Sequence, residues 1–100
     1  MITIVIRFRE FEYTADLENR VVFIGRPGNA QPDLDLSFDG SVSRAHAKLF
    51  VNDDGIWIND LGSKWGTYVD GKRISAAVQL SAESSIRMGE VVCRFPQKKK

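Results

Sequence analysis

Apolar and polar residues alternate along this chain in short runs, and no long stretch keeps the spacing of a helix face. Ile2, Ile4, Ile6 and Phe8 alternate with Thr3, Val5 and Arg7, the pattern of a half-buried strand. Phe11 and Tyr13 resume the alternation after a turn. Val21 to Ile24 is unbroken and apolar, which predicts a fully buried strand. Leu34 and Leu36, separated by Asp35, read as a short strand. Ala45 to Val51 and Ile56 to Ile58 flank Asn52-Asp53-Asp54-Gly55, a hairpin signal. Thr67 to Val69 runs into Asp70-Gly71, the pair that a two-residue type I′ turn prefers. Lys72 to Ser75, Val78 to Leu80, Ser85 to Met88 and Glu90 to Phe95 follow as later strands, with Gly89 in the last turn. The chain is therefore all-β, with about ten or eleven short strands in a sandwich or barrel. Three polar loops interrupt it: residues 25–33, 38–42 and 61–66.

Composition narrows the classes. One hundred residues suit one domain with a modest core. A chain 43% hydrophobic and 27% charged is globular rather than disordered. A net charge of +1 provides no global field for nucleic acid or a membrane surface. The single cysteine, Cys93, excludes an internal disulfide and fits a reducing, cytoplasmic setting. It follows Val91 and Val92 in a strand, as an inert core residue would. No run approaches the roughly 18 apolar residues of a membrane span. Met1 leads straight into strand alternation, so no signal peptide is expected. Residues 1–97 are expected to form the domain. Lys98-Lys99-Lys100 is expected to be a basic tail or the start of a linker within a longer, multidomain chain.

Candidate chemistry gathers in the loops. Gly25-Arg26 ends one apolar run, Ser43-Arg44-Ala45-His46 precedes another, and Asp60-Leu61-Gly62-Ser63-Lys64-Trp65-Gly66-Thr67 follows a third. Arginine suits an anion site, because its planar fork bonds two phosphate oxygens at once. Hydroxyls and unpaired loop N–H groups supply further donors. A P-loop is excluded, since Gly25-Arg26-Pro27-Gly28 lacks the lysine and no helix follows. His46 is the only histidine and has no obvious carboxylate to orient it, which is poor ground for catalysis or metal binding. No catalytic residue, metal ligand or cofactor motif emerges.

The order and spacing of these three motifs closely resemble the forkhead-associated (FHA) domain, most clearly from Val21 to Ile74. The resemblance implies a β-sandwich of about eleven strands with recognition loops at one end. It implies a non-catalytic module for signalling that binds phosphothreonine-containing protein segments. It assigns phosphate contacts to Arg26 and Ser43, and scaffold roles to Gly25, His46, Gly66 and Thr67. Three positions depart from the family pattern, one of them Asp70, which stands where a second, mainly structural asparagine is usual and serves the hairpin equally well. Lys64 stands where a threonine often touches phosphate, so it is a candidate phosphate ligand. Trp65 stands where an asparagine often fixes the ligand backbone. Ser63 and Arg44 are candidate peptide contacts, although Arg44 is equally readable as a brace for the loop. Trp65 either covers the sandwich end or offers a flat face to a partner. Trp57, in a strand, is expected to pack in the core or cover a sheet face. The alternative function is phosphate-independent protein binding through an apolar surface around Trp65.

Overall fold

A computed structural model describes residues 1–97; the predicted basic tail, Lys98 to Lys100, lies outside the described residues. Eleven strands form in order: β1 (Ile2–Phe8), β2 (Phe11–Leu17), β3 (Val21–Gly25), β4 (Leu34–Asp35), β5 (Ala47–Asn52), β6 (Gly55–Asp60), β7 (Thr67–Val69), β8 (Lys72–Arg73), β9 (Val78–Gln79), β10 (Ser85–Met88) and β11 (Val91–Arg94). They make a six-stranded sheet in the order β2-β1-β11-β10-β7-β8 and a five-stranded sheet in the order β4-β3-β5-β6-β9. No helix among the described residues is long and apolar enough to cross a membrane.

The predicted alternation places the core. Ile2, Ile4, Ile6 and Phe8 are buried, and they meet Val22, Ile24, Leu49, Ile58, Ile86 and Met88 in one cluster. Cys93 is buried there too, and burial pushes its thiol up to about 12, so it remains protonated and inert at neutral pH. Asp70 and Gly71 hold φ values of 51° and 84°, the positive pair that a type I′ turn requires.

One expectation is corrected. The strand at Val21 is not buried on both sides, because Val21 is 42% and Phe23 49% exposed. Only Val22 and Ile24 face the core; among the described residues no helix covers the outer face of the five-stranded sheet, so alternate residues meet solvent. Trp57 lies on that outer face. It stacks on Phe50 at 6.4 Å and its indole N–H donates to the Asn52 side chain at 3.1 Å. Three predicted strands are also shorter than expected. β4, β8 and β9 are two residues each, and all three are sheet edges with a partner on one side only.

The topology gathers the loops. Ile24 pairs with Ala47 and Ala47 with Asp60, so β3 ends, β5 begins and β6 ends in one row across the sheet. The three motif loops therefore leave the sandwich side by side.

Candidate functional site

Gly25 and Arg26 lie against the segment carrying Ser43 and Arg44. A Cβ at Gly25 would run into the Arg44 carbonyl oxygen, so only glycine permits this approach. The Arg26 N–H is shared between the carbonyls of Ser43 (3.3 Å) and Arg44 (3.2 Å). The Arg26 Nε–H donates to the Val42 carbonyl, which fixes the plane of the half-buried guanidinium. Its two terminal nitrogens make no hydrogen bond among the described residues.

His46 joins the loops. It is fully buried, yet both ring nitrogens are satisfied. Nδ1 accepts from the Ser43 N–H at 3.0 Å, and Nε2 donates to the Gly66 carbonyl at 2.9 Å. A carbonyl can only accept and an amide N–H can only donate, so these partners select the neutral ring with its proton on Nε2. Burial lowers the pKa below 6.5, outweighing the opposite pull of the Gly66 bond and the Asp60 and Asp39 charges. The His46 backbone bonds Ile24 on one side and Leu61 on the other. One residue thus fixes the spacing of all three motifs.

Asp60 organises the third loop. One carboxylate oxygen accepts from the Ser63 hydroxyl (2.6 Å) and the Thr67 hydroxyl (2.7 Å), the other from the Gly62 and Ser63 N–H groups (both 3.0 Å). Burial is the largest influence and raises its pKa. The hydrogen bonds together outweigh it and hold the group below 3.8. The Ser63 hydroxyl in turn accepts from the Gly66 N–H at 2.9 Å. Gly66 has φ of 89°, and a Cβ there would strike the Arg73 guanidinium. Ser63, expected as a peptide contact, is 8% exposed, and its hydroxyl is engaged inside the loop as donor and acceptor. Thr67 is likewise buried and bonded.

Asp39 anchors the second loop. Its carboxylate accepts from the Ser41 N–H (2.9 Å), the Ser41 hydroxyl (2.6 Å) and the Glu90 N–H (2.7 Å). Burial again raises its pKa most, and the bonds from Ser41 and Glu90, with the Arg9 charge, bring it below 3.8. Neither aspartate was singled out as a functional residue by sequence. For Asp60 a signal existed, since Asp-x-Gly-Ser is a local turn sequence. For Asp39 the partner at Glu90 left no local trace.

What remains exposed is cationic. The ion pairs among the described residues are Arg9–Glu90 and Arg94–Glu12, so Arg26, Arg44 and Lys64 have no carboxylate partner there. Arg26 and Arg44 line a cleft of about 260 Å³ with Gly28, Asn29, Ala30 and Ala45. The Ser43 hydroxyl oxygen accepts the Lys64 N–H at 3.0 Å, which leaves its own proton free to donate outward. Lys64 Nζ lies 5.3 Å over the ring of Trp65, a cation–π contact, and Trp65 is 57% exposed. Arg26, Ser43, Arg44, Lys64 and Trp65 thus surround the loop end, while Gly25, Ser63, His46, Gly66 and Thr67 build it from within. A larger cleft of about 560 Å³, lined from Val69 to Ser84, contains none of them.

The family model described as FHA domain matches residues 22–89. The chain belongs to the FHA domain family. The FHA domain-containing protein FhaB of Mycolicibacterium smegmatis is 33% identical over 76 residues, 76% of this chain and 47% of that protein. This FHA domain thus spans just under half the length of that relative. The FHA domain of the CT664 protein from Chlamydia trachomatis superimposes with a TM-score of 0.74 at 28% identity, covering 97% of this chain and 99% of that one. Mycobacterium tuberculosis EmbR in complex with a low-affinity phosphopeptide superimposes with a TM-score of 0.80 at 25% identity, covering 99% of this chain and 26% of that one.

Proposed function

We propose that this FHA domain is a non-catalytic module that docks phosphothreonine-containing protein segments. One observation carries the reading: two arginines and a lysine with no carboxylate partner among the described residues lie on the same adjoining loops as a serine hydroxyl with a free proton. Such a site meets what a phosphate dianion needs, namely fixed donors and uncompensated positive charge. Arg26 supplies the fork, Ser43 a hydroxyl donor and Lys64 a mobile point charge. Arg44 and Trp65 contact the flanking peptide. The phosphopeptide complex of the similar EmbR chain supports the assignment. The acting unit is residues 1–97, at work in the cytoplasm as part of a longer chain. The exposed ring of Trp65 supports a second reading, in which an apolar partner surface binds there without phosphate.

A titration separates the two. A phosphothreonine peptide library is screened against phosphoserine and unphosphorylated controls, and the best sequence is measured in all three forms. The phosphothreonine form alone should bind tightly, and Arg26→Ala should cost about 2–5 kcal/mol of that affinity with the fold intact. Equal affinity for the unphosphorylated peptide would establish the Trp65 surface instead.

A further inference from the structure

Sheet edges expose unpaired N–H and C=O groups, and natural sheets keep them short or covered. Three of the four edges here obey that rule, since β4, β8 and β9 are two residues each. The fourth does not. β2 is seven residues long, pairs only with β1, and all but Ala15 and Leu17 are exposed. Alternate backbone groups along it point away from β1, with no strand among the described residues to meet them.

The same edge carries an aromatic surface. Phe11, Tyr13 and Phe38 are 47%, 36% and 38% exposed, and with buried Phe8 they form one cluster. Ring centroids lie 5.0 Å apart for Phe8–Phe38, 5.5 Å for Phe11–Phe38 and 6.2 Å for Phe11–Tyr13. The charge on the strand itself has one sign, although Arg9 lies 4.9 Å over the Phe8 ring at one end of the cluster. From Glu10 to Asn19 there are four acids, Glu10, Glu12, Asp16 and Glu18, and no lysine or arginine. Glu12 is met by Arg7, opposite it in β1, and by Arg94 at 3.2 Å, so the acids of this edge without an ion pair among the described residues are Glu10, Asp16 and Glu18.

A second copy of the chain is a poor occupant. A two-fold axis through Tyr13, Thr14 or Ala15 would set Glu10 against Asp16, Glu12 against Asp16, or Glu12 against Glu18. Like charges directly opposite one another destabilise a strand pair. The geometry points to an unphosphorylated, extended partner segment in which basic and apolar residues alternate, added to β2 as a further strand. Main-chain bonds would hold it, apolar side chains would cover Phe11 and Tyr13, and basic ones would face Glu12 and Asp16. This surface is separate from the phosphate-binding residues, and the inference stands whether or not they bind phosphate.

The probe is a short capped peptide of alternating lysine and valine, matched in length to β2, titrated into the isotope-labelled chain. Amide resonances of residues 11–17 should shift most. A version N-methylated at alternate residues should fail to bind, because it cannot complete the ladder. Glu12→Lys with Asp16→Lys should weaken the lysine peptide about tenfold or more and admit a glutamate–valine peptide in its place. The thermal midpoint of this double variant is checked first. Thr14→Lys, a single exposed change, replaces it if that midpoint falls, and should also weaken the lysine peptide. Shifts confined to other strands would overturn the inference. So would equal binding of the N-methylated peptide, or a concentration-dependent dimer abolished by these same variants.

Discussion

Asp60 and Asp39 each build one recognition loop around a carboxylate, but they reach for different parts of the chain. All the donors to Asp60 come from Gly62, Ser63 and Thr67, within seven residues. Asp39 takes two bonds from Ser41 and a third from Glu90, 51 positions away in the turn between β10 and β11. The first loop is closed by its own sequence. The second is held to the opposite sheet, so its position depends on how the sandwich packs. A binding site assembled from both inherits a local, rigid half and a half whose placement reports on the whole fold.

Removing each carboxylate should break the two halves unequally. Asp60→Ala strands the buried hydroxyls of Ser63 and Thr67 together with two N–H groups. The expected loss is about 3–5 kcal/mol, read from denaturant midpoints. Phosphopeptide affinity should fall with it, because Lys64 and Trp65 ride on that loop. Asp39→Ala leaves fewer donors unmet and should cost about 2–3 kcal/mol. Its amide shifts should appear at two places distant in sequence, around residues 39–42 and 89–90. If instead they stay local, Asp39 does not tie the sheets together and the contrast fails.

Ser43→Ala sharpens the comparison at the point where the loops meet. It removes an acceptor for the exposed Lys64 N–H, so stability should change by under about 1 kcal/mol. Phosphopeptide binding should lose about 1–2 kcal/mol, the worth of a hydroxyl bond to a charged group. Matched calorimetry on the free protein and on the complex separates the two numbers.

The gentlest probe is pH, which acts on the loops in two windows. His46 has a folded pKa below its ordinary 6.5, so the unfolded chain takes up the proton first. Its contribution is complete above 6.5 and is lost as pH falls from there toward the lowered value. Asp39 and Asp60 both sit below 3.8, so their contributions are complete above 3.8 and lost as pH falls through the lowered values. Stability against pH should therefore show a shallow upper step and a steeper acid step. His46→Gln should remove the upper step and leave the acid step; a profile in which both survive would assign the upper step elsewhere.

Strand identity was legible in the sequence because its causes are short-range. Alternation at Ile2 to Phe8, the Asp70-Gly71 pair and the polar gaps each depend on neighbours a few residues apart. The three motifs were legible for the same reason. Burial at β3 was not, because an apolar run states what a strand can tolerate and not which faces a second layer covers. Nor was the inward turn of Ser63. A serine in a polar loop reads as a peptide contact, and only the placement of Asp60 and Gly66 around its hydroxyl shows it engaged within. The residue types suited to an anion, and their order, were thus set by the sequence itself. Tertiary structure decided which of them keep free donors at the surface. Hydrogen-bond satisfaction is a property of the packed neighbourhood, and those neighbours come from strands far apart in the chain.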